Sequence, residues 1–435
     1  MSASTSPRAT ATGHLSAGSS SAGNSSVGRA VPTLAAEVAR VVAAGNCSGC
    51  GACVQLDRGL EMQLDPAGRS RPVPVQLSTR RPPAGDVVAA FDRSCPGRRV
   101  DAQAPEGSVR HDLLGPVVAA WEAWATDPDV RHAGSSGGVL TALTAWLAST
   151  GQVDQVVGAQ ADPTDATRTV AVAVTDRAGA LVAAGSRYAP VANAAHPAAL
   201  DPRGAVVGKP CEVSALRALA GDTDAPLLMS FFCAGVPAQT ATTDLVRSLG
   251  VGDGERVTDL RYRGRGWPGE FTAVTEQQTV RTSYDESWGR HLGPTTQWRC
   301  KLCPDGTGES ADLVAGDFWH ADDRGYPVFA DDAGRSVLIA RTRRGRELVE
   351  RAVAAGVLTV GPVDLDAVVA VQPLQADRRR TLAGRLVGNA LAGRPVPRYR
   401  GFGLLGRAWR SPRDTLRAAR GTRARVRRES SRARS

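Results

Sequence analysis

Three cysteines at successive two-residue gaps, Cys47-Ser-Gly-Cys50-Gly-Ala-Cys53, constrain this chain more than any other stretch. Thiols that close together force the backbone to wrap around something. A fourth follows far downstream in Cys95-Pro96. C-x2-C-x2-C with a remote C-P suits a [4Fe–4S] cubane: the triplet covers one face, glycines let backbone N–H groups approach sulfide, and the distant cysteine closes the fourth corner. Zinc is the main alternative, although all-cysteine zinc sites usually use two separate C-x2-C pairs. Cys47, Cys50, Cys53 and Cys95 are thus expected to be metal ligands.

The remaining bounds agree with a metalloprotein. Eight cysteines in 435 residues are too few for a disulfide scaffold, and their clustering points to metal in a reducing, cytoplasmic compartment. The length allows two or three domains. No apolar run reaches the roughly 20 residues that span a bilayer. Residues 1–35 are rich in Ser, Ala, Gly and Thr, and lack both acidic residues and an apolar h-region. That excludes a secretory signal; a disordered leader is expected.

The net charge of +10 is a property of one end. Residues 376–435 hold eighteen Arg against Asp377, Asp414 and Glu429, a net of +15, which leaves −5 for the rest. An Arg-rich tail over 366–435, solvated and partly disordered, is the plain expectation. Contact with an anionic membrane surface is the functional alternative, for which Phe402, Leu404, Leu405 and Trp409 are suited, and nucleic acid is not favoured. Of 53 basic side chains only Lys209 and Lys301 are lysines, and both stand beside cysteines, a hint that a compact ammonium serves an anionic centre.

Along the chain, residues 36–45 read as a short helix stopped by glycine. The segment 36–110 is expected to be a small cluster-bearing module stabilised by its metal and by docking. His132-Ala-Gly-Ser-Ser-Gly-Gly138 then leads into a helical pattern at Val139, Leu140, Leu143, Trp146 and Leu147. Strands are expected at Val153–Gln160, Thr169–Val174, Ala205–Gly208, Pro226–Phe232, Arg256–Tyr262, Phe271–Thr275, Ala311–Ala315 and Ser336–Ala340, with helices from Pro210 and over Arg344–Ala354. Such alternation means an α/β fold, in which α+β elements remain open. The expected divisions are 111–195 and 196–365, after the N-terminal module and before the tail.

Cys211 opens a helix directly after a strand, and Cys233 ends another strand. In open α/β sheets both places face one crevice. A helix N-terminus also favours the thiolate. With Cys300-Lys-Leu-Cys303 these form a candidate second [4Fe–4S] site; a zinc half-site and two buried free thiols are the alternatives. Ser135, Ser136, Gly137 and Gly138 at a helix start are a candidate phosphate cradle, or simply a cap. Gly185-Ser-Arg187-Tyr188 offers a cation and an aromatic ring in a turn. Asp317 and His320 follow a strand and could handle protons.

Taken in order, these motifs resemble one family. His132-Ala-Gly-Ser-Ser-Gly-Gly-Val-Leu-Thr-Ala-Leu143, Gly185-Ser-Arg-Tyr188, Val207-Gly-Lys-Pro-Cys211, Phe232-Cys-Ala-Gly-Val-Pro237, Cys300-Lys-Leu-Cys-Pro-Asp305 and Ala311-Asp-Leu-Val-Ala-Gly-Asp-Phe-Trp319 are similar to the coenzyme F420 hydrogenase/dehydrogenase beta-subunit family. The resemblance spans roughly residues 110–365. With the N-terminal ferredoxin-like segment it extends to relatives such as 7-hydroxymethyl chlorophyll a reductase. It implies FAD, two [4Fe–4S] clusters and electron transfer between a hydride carrier, coenzyme F420 among them, or an organic substrate and a one-electron carrier such as ferredoxin. It also implies that Cys211, Cys233, Cys300 and Cys303 hold the cluster nearest the flavin, and that Ser135–Gly138 and Arg187 touch the flavin, with Lys209 beside them. Two positions depart from the family pattern: Lys209 stands where Thr is commoner, and Ala234 where His is frequent. The alternatives to an enzyme are a non-catalytic electron-transfer subunit docked on a partner oxidoreductase and a zinc-stabilised binding protein.

Overall fold

Valine- and alanine-rich runs alternate with amphipathic helices from residue 119 onward, and the chain closes them into one mixed eight-stranded sheet. The structure, a computed structural model, describes residues 33–75, 86–221, 225–321, 327–328 and 333–432. The leader read over residues 1–35 lies outside them except for its last three residues. The strands are β1 (Ala119–Ala125), β2 (Val156–Ala161), β3 (Thr169–Val174), β4 (Ala205–Gly208), β5 (Leu227–Phe231), β6 (Leu313–Asp317), β7 (Ser336–Ala340) and β8 (Leu358–Gly361). Their order across the sheet is β8-β1-β7-β6-β5-β4-β2-β3. The middle four, β2, β4, β5 and β6, run parallel, and the flanking pairs are antiparallel.

Alternation along these strands builds two cores. Met229, Leu313 and Leu338 face the helices Val139–Ser149 and Arg343–Ala354, whereas Val206 and Leu228 face the helix Pro210–Ala220. Burial on both faces explains why the parallel strands read as near-continuous apolar runs. Their carboxyl ends deliver Lys209, Phe232-Cys233 and Asp317 to one edge of the sheet. The fold is thus α/β, as expected. β1, with the sequence Ala-Ala-Trp-Glu-Ala-Trp-Ala, and β8 are strands beyond those expected from the sequence.

The N-terminal module is thin. Leu34, Val38, Val41, Leu60 and Phe91 form its small core, and Cys47, Cys53 and Cys95 pack against it. It is fastened to the sheet domain by polar contacts: Gln55 donates to the carbonyls of Ala194 and His196, and Gln297 donates to that of Ser48 at 2.7 Å.

The expectation of a disordered basic tail is corrected by the structure. Helices span Pro373–Ala390, Leu404–Arg410 and Pro412–Arg432. Gly384 and Gly388, one helical turn apart, let the last helix come so close that an added Cβ would meet the carbonyl oxygens of Thr415 at 2.1 Å and Ala419 at 2.2 Å. Some of the arginines are buried and paired rather than solvated. Arg379, 4 % exposed, reaches Glu309 at 2.6 Å, and Arg110 reaches the same carboxylate at 2.8 Å. Burial pushes Glu309 up, but Arg379 and Arg110 more than offset it and hold it below the usual carboxylate range.

Arg379→Met should consequently destabilise the protein by about 3 kcal/mol, because it leaves Glu309 buried with one cation instead of two. Arg420→Met, on the exposed face of the last helix, should stay within about 0.5 kcal/mol. Denaturant midpoints of the two variants decide this. Equal midpoints would mean that the helical tail adds nothing to the fold.

Candidate functional site

A cavity of about 500 Å³ opens at the edge of the sheet where β4, β5 and β6 end. This is in the size range of small-molecule and cofactor pockets. Its wall includes Ser135, Ser136, Gly138, Arg187, Lys209 and Cys233, which are far apart in sequence. Gly137 is not part of that wall: its N–H donates to Ser336 Oγ at 3.1 Å, and an added Cβ would meet the Ala123 carbonyl at 2.6 Å. Gly138 sits at φ +70°, a left-handed turn that opens the helix Val139–Ser149. No side chain caps that helix, so its first amides and dipole are available to an anion.

The cradle serines are engaged structurally as well. Ser135 Oγ and Ser186 Oγ lie 2.7 Å apart, and Ser136 Oγ donates to the Arg335 carbonyl at 2.7 Å. Arg187 donates from Nη1 to the Leu260 carbonyl at 2.7 Å and from Nη2 to those of Arg168 and Ala166, over the ring of Tyr262. Its guanidinium therefore braces the loop, and the residue meets the cavity as part of the wall.

The cavity cation that sequence reading missed is Arg263. It is 2 % exposed, pairs with Asp317 at 2.6 Å and lies 4.9 Å from the ring centres of Trp267 and Tyr284. Its Nη2 is buried without a hydrogen-bond partner among the described residues. Tyr188, Tyr284, Trp288 and Trp319 complete an aromatic side of the cavity, with Tyr188 and Trp288 ring centres 4.9 Å apart. The sequence signal was the run Tyr262-Arg-Gly-Arg-Gly-Trp-Pro268, in which Gly264, Arg265 and Gly266 all take positive φ. Asp317 thus lines the cavity as the partner of Arg263. The side chain of His320 lies outside the described residues.

Lys209 enters this wall in a buried ion pair. Its Nζ donates to Glu212 Oε1 at 2.5 Å and to the Val191 carbonyl at 2.7 Å, while Glu212 also accepts the backbone N–H groups of Lys209 and Asn193. Burial pulls the ammonium down, but the Glu212 charge, and then Cys211, hold it above the ordinary lysine value.

All eight cysteines are free thiols. They fall into two groups that sense one another's charge. Cys53 is raised by burial and then by Cys50, Cys47 and Cys95; Cys233 is pushed up to about 12 by burial, then by Cys300, with Cys303 adding to it. The groups are neighbours, since Cys211, raised chiefly by burial, also feels Cys50 and Cys233. Backbone N–H groups already point at sulfur, Gly49 to Cys47 Sγ and Val236 to Cys300 Sγ, each at 3.4 Å. Such donors accompany cluster thiolates. Among the described residues no three of His, Cys, Asp and Glu gather tightly enough for a single ion. A cubane separates its four thiolates more widely, because each binds a different iron. The donor chemistry, the loose grouping and the amides fit such a cluster, and the uncapped helix start with the aromatic wall fits a flavin.

Residues 120–196 match the N-terminal part, and residues 201–366 the C-terminal part, of the family described as coenzyme F420 hydrogenase/dehydrogenase, beta subunit. Coenzyme F420 hydrogenase subunit beta of Methanococcus voltae is 26% identical over 301 residues, covering 65% of this chain and 99% of that protein. A chain of the F420-reducing [NiFe] hydrogenase complex from Methanosarcina barkeri superimposes with a TM-score of 0.47 at 21% identity, over 64% of this chain and 95% of that one.

Proposed function

Because the chain belongs to the coenzyme F420 hydrogenase/dehydrogenase beta-subunit family, we propose that it is an iron–sulfur flavoprotein passing electrons between a hydride carrier of the coenzyme F420 type, or an organic substrate, and a one-electron carrier such as ferredoxin. One observation carries the reading. A single cavity brings the uncapped helix start, the Lys209 cation and the Cys233 thiol within reach of one bound molecule, although about 100 residues of sequence separate Ser135 from Cys233.

FAD bound in that cavity would supply the exchange between two-electron and one-electron carriers, which no side chain performs. The chain's own residues have other tasks. The first amides of Val139–Ser149 and Ser135 would hold the pyrophosphate, with the dipole favouring its charge. Tyr284, Trp288 and Trp319 exclude water from the ring side of the cavity and offer stacking faces. Lys209 and Arg263 bring N–H donors to the wall, each held in place by a carboxylate partner, Glu212 and Asp317, and would serve as hydrogen-bond donors to a bound cofactor. Cys211, Cys233, Cys300 and Cys303 would hold the inner cluster beside the cavity, and Cys47, Cys50, Cys53 and Cys95 the outer one.

Anaerobic purification followed by iron, sulfide, zinc and flavin analysis tests the proposal. Iron and sulfide for two clusters, with stoichiometric flavin, support it, and zinc without flavin would sink it. Clusters and flavin without turnover of deazaflavin would narrow the function to an organic substrate or to an electron-transfer subunit of a larger oxidoreductase complex.

A further inference from the structure

Arg299 touches both cysteine groups through bonded neighbours. It immediately precedes Cys300, and its Nη2 donates at 2.8 Å to the carbonyl of Pro96, the residue after Cys95. The guanidinium lies 5.6 Å from the ring centre of Tyr399, whose hydroxyl donates at 2.7 Å to the Leu302 carbonyl between Cys300 and Cys303. The Tyr399 segment, Arg398–Arg400, pairs in parallel with Arg99–Asp101, just beyond Cys95. Both paired segments lie outside the regions that match the family, 120–196 and 201–366. A strand just after Cys95 thus pairs with one from the C-terminal region, whose Tyr399 packs on Arg299.

The charge of this residue has no local counterweight. Arg299 is 2 % exposed, has no carboxylate partner among the described residues, and its Nε is buried without a hydrogen-bond partner. Lys209, another buried cation near these thiols, is neutralised by Glu212, and Arg378 donates to the carbonyls of Cys233 and Ala234 on the inner side only. A buried cation is costly without an anion nearby. Four thiolates around an iron–sulfur core supply one, and each added electron makes that core more negative. Arg299 is felt by thiols of both groups, Cys303, Cys211 and Cys300 on one side and Cys95 on the other.

We infer that Arg299 is a positioning residue shared by the two centres, whose fixed positive charge favours the reduced state of both. This rests on the reading that both cysteine groups hold iron–sulfur clusters. Because one charge faces both centres, it raises their potentials together. An electron passing from one to the other stays in the same favourable field, and the driving force between them changes little.

The test is a redox titration of the anaerobically purified full chain, followed by electron paramagnetic resonance. In Arg299→Gln, which can still donate to the Pro96 carbonyl, both midpoints should shift to lower potential in the same direction, with iron content unchanged. Arg299→Lys should restore most of the shift. If Arg299→Gln does not fold, the lysine variant decides, since its midpoints should stay near those of the wild type. A shift of one centre only, or of neither, overturns the inference while leaving the functional reading intact. Loss of iron from either centre in Arg299→Gln, not repaired by lysine, assigns a purely structural role and also overturns it. A wild-type chain without two iron–sulfur centres sinks the functional reading itself.

Discussion

Cys50→Ser is expected to stop exchange with a one-electron carrier while flavin reduction by a hydride donor continues. Cys50 is the most buried thiol of its group, packed with Ala52 against the same core as Cys211. On the proposed reading a serine there would remove a ligand of the outer centre, and it leaves the cavity wall untouched, since none of Cys47, Cys50, Cys53 and Cys95 lines it. Losing a ligand should cost more than losing a supporting contact, which already costs a metal site up to roughly 100-fold. The one-electron rate should therefore fall by at least about 100-fold, and flavin reduction should stay within a few-fold. Stopped-flow absorbance with each partner separates the two half-reactions. Loss of flavin from this variant would argue against a role for the outer group in exchange with the one-electron carrier alone.

Glu212→Ala should have the largest effect on stability. Glu212 is fully buried and binds three groups at once: the Lys209 ammonium and the backbone N–H groups of Lys209 and Asn193. Removing it leaves a buried cation with only the Val191 carbonyl, and two amides unsatisfied. Breaking a buried pair in this way costs about 3–5 kcal/mol, and each orphaned amide adds about 1 kcal/mol or more. For a typical domain, stable by 5–15 kcal/mol, that approaches unfolding at working temperature. Lys209→Met should cost less, because the carboxylate keeps its two amide donors. Its larger effect should be on cofactor affinity, since Lys209 lines the cavity. Denaturant unfolding of the two variants tests the order; Lys209→Met as the less stable one would contradict it.

Much of this architecture was legible in the chain. Apolar runs flanked by glycine placed most of the central strands, and Pro210 after β4 marked a helix start. β1 escaped because its four alanines and its glutamate disfavour a strand and outweigh its two tryptophans. It is a strand because β7 and β8 pair with it on both sides. The tail escaped for a related reason. Eighteen arginines in sixty residues read as a solvated end, yet Arg378, Arg379 and Arg407 are buried against carbonyls and carboxylates that come from distant segments.

The opening cysteine triplet illustrates where each source of information ends. Spacing alone pointed to a ligand set around Cys47, Cys50 and Cys53, because two-residue gaps limit what the backbone can do, and that information is local. Sequence order could also suggest that Ser135, Lys209 and Cys233 belong together, through the positions they take after strands. Only the tertiary structure decided that these three share one cavity, that Arg263 with its aromatic neighbours closes it, and that Arg299 lies between the two thiol groups under the returning C-terminal segment. The physical reason is that burial and charge are summed over everything within a few ångströms, and many of those neighbours come from distant parts of the chain, as Arg263 and Asp317 or Arg299 and Pro96 do.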